Sequence, residues 1–246
     1  MDLTTLLILG GVFALVAALY TSVGHAGASG YLAVMALLAV PPEVMRPTAL
    51  ALNIIVASLA TYRFLKAGQF NLRLFLPIVI LAVPSAFVAA RIHLPGEIYR
   101  PVVGVLLWIA AIRFLLPVRA ETLEQTRPSN VWLAGLTGAG VGALSGLTGT
   151  GGGVFLSPIL LINRWEIPRR VSGISSAFIL CVSIAGLAGS VSSVGRLPPE
   201  LPWLAGAVLV GALVGTQLGL KTLRPPMLLK ALGLVLIVAG AKLIFS

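Results

Sequence analysis

The sequence predicts an all-α, polytopic membrane protein built as two inverted repeats of about five segments each, and three observations predict it. Of its 246 residues 58% are hydrophobic and only 10% are charged, against about 25% charged in an average soluble domain. Apolar runs approaching 20 residues recur from end to end, the length that carries a helix across hydrocarbon. The landmarks of the first half return in order in the second. The short alternating segments of a membrane barrel are not seen.

Apolar segments are expected over 3–22, 30–41, 48–65, 72–91 and 98–117, then over 131–147, 153–163, 171–194, 201–220 and 226–245. The first follows Met1-Asp2-Leu3 with no basic flank, so it reads as a retained helix rather than a cleaved signal. Segments 30–41 and 153–163 reach only about 17 Å against about 30 Å of hydrocarbon, so they read as half-length helices entering from one side. The one extended polar stretch runs from Arg119 to Asn130 and carries Glu121, Glu124 and Arg127. It divides the chain into a first repeat over 1–118, a linker over 119–130 and a second repeat over 131–246.

Gly30, Glu43, Arg46 and Asn53 recur 123 positions later as Gly153, Glu166, Arg169 and Ser176. Gly68 recurs as Gly195 at 127, and Gly104 and Arg113 recur as Gly233 and Lys242 at 129. The constant order and slow drift point to duplication. Suppose the first two segments of each half return the chain to its starting side. Arg63, Lys66, Arg73, Arg113, Arg119, Arg127, Arg164, Arg169, Arg170, Lys221, Arg224 and Lys230 then share one face. Only Arg46, Arg91, Arg100, Arg196 and Lys242 occupy the other. The positive-inside rule selects this split and puts both termini outside the cytoplasmic membrane of a bacterium. Each half then makes an odd number of passages, which turns the second upside down, an architecture of transporters.

The formal charge of +10 reads as basic loops that hold topology and meet anionic lipid rather than as a nucleic-acid surface. The single Cys181 rules out an internal disulfide and a Cys-based metal site, and it reads as packing. No cofactor or metal is expected.

A glycine-rich break precedes each short segment, at Gly24-His25-Ala26-Gly27-Ala28-Ser29-Gly30 and at Gly146-Leu147-Thr148-Gly149-Thr150-Gly151-Gly152-Gly153. Irregular backbone at membrane depth persists only where protein buries it or it lines a cavity. Glycines let successive N–H groups converge, and a helix that starts there adds its positive dipole end. Close helix packing would account for a lone glycine pair. Five glycines in eight residues, in register with the other half, read as an anion site near mid-membrane. Gly24, Gly27, Gly30, Gly151, Gly152 and Gly153 would supply backbone donors, and Ser29, Thr148 and Thr150 hydroxyls. Replacing Gly152 with a bulky residue is expected to abolish transport and leave the fold intact.

All seven acidic residues (Asp2, Glu43, Glu97, Glu121, Glu124, Glu166 and Glu200) fall in loops or at segment ends. A mid-span carboxylate is common in cation and proton carriers, so a cation cargo is disfavoured. His25 is the one titratable group inside a break. It either couples to protons or simply bonds a carbonyl that the broken helix exposes. His93, in an outside loop, reads as solvated. Asn53, Ser175 and Ser176 lie one to two turns into the third segments, where they either face the cavity or glue helices together. Gln217 and Ser85 are weaker candidates of the same kind.

The breaks and the duplicated layout resemble the TauE/SafE family of sulfite exporters, over nearly the whole chain. The most specific elements are Gly149-Thr150-Gly151-Gly152-Gly153-Val154-Phe155-Leu156-Ser157-Pro158 and Arg169-Arg170-Val171-Ser172-Gly173-Ile174-Ser175-Ser176. His25 and Ser29 depart from the family's plainer first glycine run. The resemblance implies a transporter of small sulfur-containing anions such as sulfite or organosulfonates, where the residues by themselves indicate an anion.

Two rivals and one assembly question stay open at this level. Gly27-Ala28-Ser29-Gly30 also resembles the nucleophile motif of rhomboid proteases, but no later helix offers the histidine base. A channel would expose backbone in the same way. The sequence leaves homodimer formation undecided. The expectation is alternating access, one half rocking against the other around the anion.

Overall fold

The computed structural model describes residues 3–115, 126–221 and 226–245, and those residues form ten α-helices and no strand. In chain order they are α1 (Leu3–Thr21), α2 (Ala28–Leu37), α3 (Pro42–Lys66), α4 (Leu72–Ala90), α5 (Gly96–Leu115), α6 (Val131–Thr148), α7 (Gly153–Ile162), α8 (Pro168–Gly189), α9 (Leu201–Lys221) and α10 (Pro226–Phe245). Among the described residues seven helices are long and apolar enough to cross a membrane. Many of their large apolar side chains, such as Ile80, Leu136 and Val210, are exposed. That is the surface of a helix bundle solvated by lipid rather than water. Most of the linker, residues 119–125, lies outside the described residues, as do Asp2, Arg119 and Arg224.

The helix starts follow from local chemistry. Asn71 Oδ1 accepts Leu74 N at 3.3 Å to open α4, and Asn130 Oδ1 accepts Trp132 N at 2.9 Å to open α6. Pro42 and Pro168 occupy the first positions of α3 and α8, where a missing N–H costs nothing. That preference starts α3 six residues before the expected 48. The expected segment 171–194 ends earlier, at Gly189, and a short 3-10 turn over Val191–Arg196 follows. Ser190 closes α8 by donating its hydroxyl back to Gly186 O at 2.8 Å.

α2 and α7 are ten residues each, about 15 Å long, and each is the return limb of a hairpin. Trp203 Nε1 donates to Leu6 O at 2.9 Å, so α9 begins beside the start of α1. α9 ends beside the end of α3, where Arg63 and Lys66 meet Gln217. α1 and α3 therefore run the same way. In the other half Arg127 N donates to Arg164 O at 2.8 Å, which places the starts of α6 and α8 together. Asn71 bonds Glu166 there, so α4 also starts at this face. α4 ends beside Arg46, near the start of α3. α6 and α8 therefore run opposite to α1 and α3.

The tightest helix pairs are α4 with α6, α1 with α9, α5 with α10 and α3 with α8. Exchanging α1–α5 with α6–α10 maps this set onto itself. The same device builds the first two pairs. A Cβ at Gly138, Gly142 or Gly146 of α6 would land on the carbonyls of Ile78, Ala82 or Ala86 of α4. One at Gly211, Gly215 or Gly219 of α9 would land on those of Ala14, Ala18 or Ser22 of α1. Glycine every fourth residue brings two backbones into contact, the small-residue packing of membrane helices. The buried core divides in two. One cluster draws mainly on α1, α2, α3, α5, α9 and α10, the other on α4, α6, α7 and α8. This division cuts across the sequence halves.

Candidate functional site

Both breaks contribute to one buried crevice, packed so closely that no water-sized sphere fits inside it, and its apolar lining belongs to the first cluster. Break one contributes His25, Ala26 and Gly27, with Ala28 and Ser29 from the first turn of α2; break two contributes Thr150, with Gly153 and Val154 from the first turn of α7. Tyr20 of α1, Asn53 of α3 and Ile179 of α8 complete the wall. Gly27 (φ 103°) and Gly152 (φ 71°) cap the two short helices in the left-handed region, and neither helix has a side-chain cap. Side chains with a Cβ rarely adopt that backbone. Two uncapped N-termini thus bring their positive dipole ends to one place.

Breaking the helices strips carbonyls of partners, and neighbouring elements supply them. Ser172 Oγ donates to Val23 O at 3.1 Å and Ser176 Oγ to Gly24 O at 3.0 Å. Tyr31 donates to Ala26 O at 2.7 Å and Tyr99 to Thr148 O at 2.9 Å. His25 Nε2 lies 3.0 Å from Gly153 O and 2.9 Å from Ser157 Oγ. A carbonyl only accepts, so the contact with Gly153 O requires the proton on Nε2, whereas an Nε2 without it would accept from the Ser157 hydroxyl instead. Ser157 passes the contact on to Ser175 Oγ at 2.7 Å. The ring of His25 thereby ties break one to α7 across the crevice.

The candidate residues separate by position. His25, Gly27, Ser29, Asn53, Thr150 and Gly153 line the crevice. Gly24, Ser175 and Ser176 lie behind it in the bonds just described, and Thr148 Oγ1 meets Thr150 Oγ1 at 3.1 Å. Gly30 packs against Val16 and Tyr20, and Gly151 lies against Asn53 and Ile179. A Cβ at Gly152 would sit 2.8 Å from Phe178 Cε1 and 2.9 Å from Val141 Cγ1. A bulky residue there would therefore disturb the packing of α6, α7 and α8 as well as the site, which removes its value as a clean test. Ser85 bonds Ala82 O and Ala139 O, both at 2.9 Å, and joins α4 to α6. His93 is exposed and bonds Arg91 O. Gln217 lines a different cleft.

No Asp, Glu, Lys or Arg is among the residues that line the crevice. Ser29 Oγ and Tyr20 OH share a 2.6 Å hydrogen bond, while His25 Nε2 is committed to Gly153 and Ser157. Asn53 Nδ2 reaches Ser183 Oγ at 3.4 Å, and its fully buried Oδ1 has no partner. A half-turn of this amide would place Oδ1 on Ser183 Oγ and put the N–H donors where the unpartnered oxygen now lies.

Two nearby residues escaped the sequence reading. Tyr20 ends α1, where an aromatic side chain reads as a membrane-interface residue. Arg46 drew notice only as a repeat landmark. It is buried, donates to Ala90 O at 2.6 Å and to Ile92 O at 3.2 Å, and its stem packs against Gly149 of break two. Its guanidinium closes the C-terminus of α4.

Comparison with known proteins adds identity to this geometry. The family described as "Sulfite exporter TauE/SafE" matches residues 7–243. The chain is 38% identical over 238 residues to the "Probable membrane transporter protein y4hK" of Sinorhizobium fredii, covering 95% of this chain and 96% of that protein. No solved structure matches.

Proposed function

The chain belongs to the sulfite exporter TauE/SafE family of membrane transporters, and from that premise we propose that it is a secondary carrier for a small sulfur oxyanion. Sulfite or an organosulfonate is the cargo class, the bacterial cytoplasmic membrane the setting, and alternating access the mechanism. The observation that carries the reading is the meeting of two uncapped helix N-termini at one buried crevice whose lining has no carboxylate. Such termini attract anions, and the buried setting strengthens the attraction. Ser29, Thr150 and a turned Asn53 amide would add donors to the oxyanion, and His25 is the candidate for proton coupling as cargo moves.

The two halves are proposed to be inverted repeats, 1–118 and 131–246 around the 119–130 linker, with both termini outside. The opposed run of α1 and α3 against α6 and α8 supports this. So does Lys242 Nζ, which donates to Leu37 O at 2.8 Å and places the end of α10 beside the end of α2. Because each core cluster mixes helices from both halves, the bodies that rock are the clusters, α4, α6, α7 and α8 moving against the rest.

Uptake of labelled sulfite into proteoliposomes tests the function. Saturable flux, competed by thiosulfate, sulfate or taurine but not by chloride, is expected. Flux that never saturates and carries current would select the channel instead. Absence of sulfite flux under proton gradients of either direction would overturn the cargo.

A further inference from the structure

We propose that a cleft between the C-terminal ends of α3 and α9 binds the phosphate headgroup of an anionic phospholipid. The cleft has a volume of about 370 Å³ and is lined by Arg63, Lys66 and Ala67 of the α3 end and by Gln217 and Leu220 of α9. It lies away from the transport crevice and shares no residue with it.

Arg63 is fixed in place. Its Nη1 donates to Leu213 O and to Thr216 Oγ1, both at 2.7 Å, and the Thr216 hydroxyl donates onward to Ala212 O at 2.6 Å. These partners orient the guanidinium and leave its charge in place. No Asp or Glu is among the described residues that line the cleft, so no carboxylate in its lining compensates Arg63 or Lys66. Cations near helix C-termini are favoured by the dipole, which accounts for two charges near these ends. It does not account for a pinned guanidinium, an ammonium and the amide of Gln217 around one space large enough for a phosphate group.

The surroundings decide the class of anion. On the same helices, within a turn of these groups, Tyr62, Leu65, Val214 and Leu218 are exposed by 62%, 48%, 51% and 45%. Apolar side chains exposed on membrane-spanning helices face hydrocarbon. A site with cationic donors at one end and apolar walls beside them fits a phospholipid, with its phosphate on the basic groups and its chains along the helices.

Native mass spectrometry of the detergent-purified full chain tests this, with phosphatidylglycerol or phosphatidylcholine supplied in turn. Retention of phosphatidylglycerol well above phosphatidylcholine is expected. Lys66→Gln should weaken the phosphatidylglycerol adduct about fivefold, the effect of one basic residue at an anionic surface. Adding Arg63→Gln should abolish the preference. Lys66 is exposed, so its variant decides the matter even if the double variant fails a thermal-stability check. Equal retention of the two lipids, or wild-type retention by Lys66→Gln, would overturn the proposal. Displacement of the lipid by millimolar inorganic phosphate would overturn it too, since the cleft would then be a site for free anions.

Discussion

At the scale of single residues, Asn53 offers a direct test of the charge preference of the crevice. It is fully buried and its carboxamide oxygen has no partner. Asn53→Asp keeps the shape and sets a negative charge against the cargo, so sulfite flux should fall at least about tenfold, the smaller end of a buried like-charge effect. Asn53→Ser should lower apparent affinity only a few-fold. Equal flux in the Asp variant would remove Asn53 from the binding wall. His25 bonds Gly153 O through Nε2, a contact that Gln can replace without titrating. His25→Gln should therefore keep measurable flux and flatten its dependence on pH between about 5 and 8, the range in which an ordinary histidine changes charge. An unchanged pH profile would limit His25 to holding α7 in place.

At the scale of elements, the glycine stripes and one buried carboxylate hold the bundle. Gly142→Val drives a side chain into Ala82 of α4 and should lower stability by about 3 kcal/mol, the upper range for overpacking. Gly140→Val, two residues away with open space around it, should change thermal stability in detergent very little. Similar melting of both variants would mean that the α4–α6 contact is not set by backbone approach. Glu166 is 3% exposed and accepts from Asn71 Nδ2 and, at 3.0 Å, from Ile167 N. It links the start of α8 to the start of α4. Glu166→Ala should cost about 1–3 kcal/mol because it strands the amide of Asn71 and the Ile167 N–H.

At the scale of the whole molecule, the two hairpins and the mixed core clusters make a prediction about accessibility. In a Cys181→Ser background, Thr150→Cys should react with impermeant thiol reagents from either side of the membrane in turn, and sulfite should protect it. Reaction from one side only, with or without sulfite, would contradict alternating access. A C-terminal alkaline phosphatase fusion should be active outside the cell and a C-terminal fluorescent-protein fusion dark. The reverse pattern would invert the proposed orientation.

Composition, periodicity and repeated landmarks were enough to read the helical membrane class, the ten segments and the glycine breaks. Each of these is a local property: apolar length decides what crosses lipid, and glycine runs decide where a helix stops. The same locality explains the boundary errors, since Pro42 starts α3 early and the Gly189–Ser190 pair ends α8 before the apolar run is over. Which candidates face the crevice could not be read in this way. Asn53 and Ser176 match in register, yet Asn53 lines the space while the Ser176 hydroxyl is shared between Ser172 O and Gly24 O behind it. Tyr20, Arg46 and the Arg63 cleft were likewise invisible, because each takes its role from helices remote in the chain. Sequence by itself determined that this chain is a helical membrane protein broken twice by glycine. Tertiary structure alone decided how the two halves interleave and which polar groups line the crevice, because carbonyls freed by a broken helix are satisfied by whichever helix packs beside them.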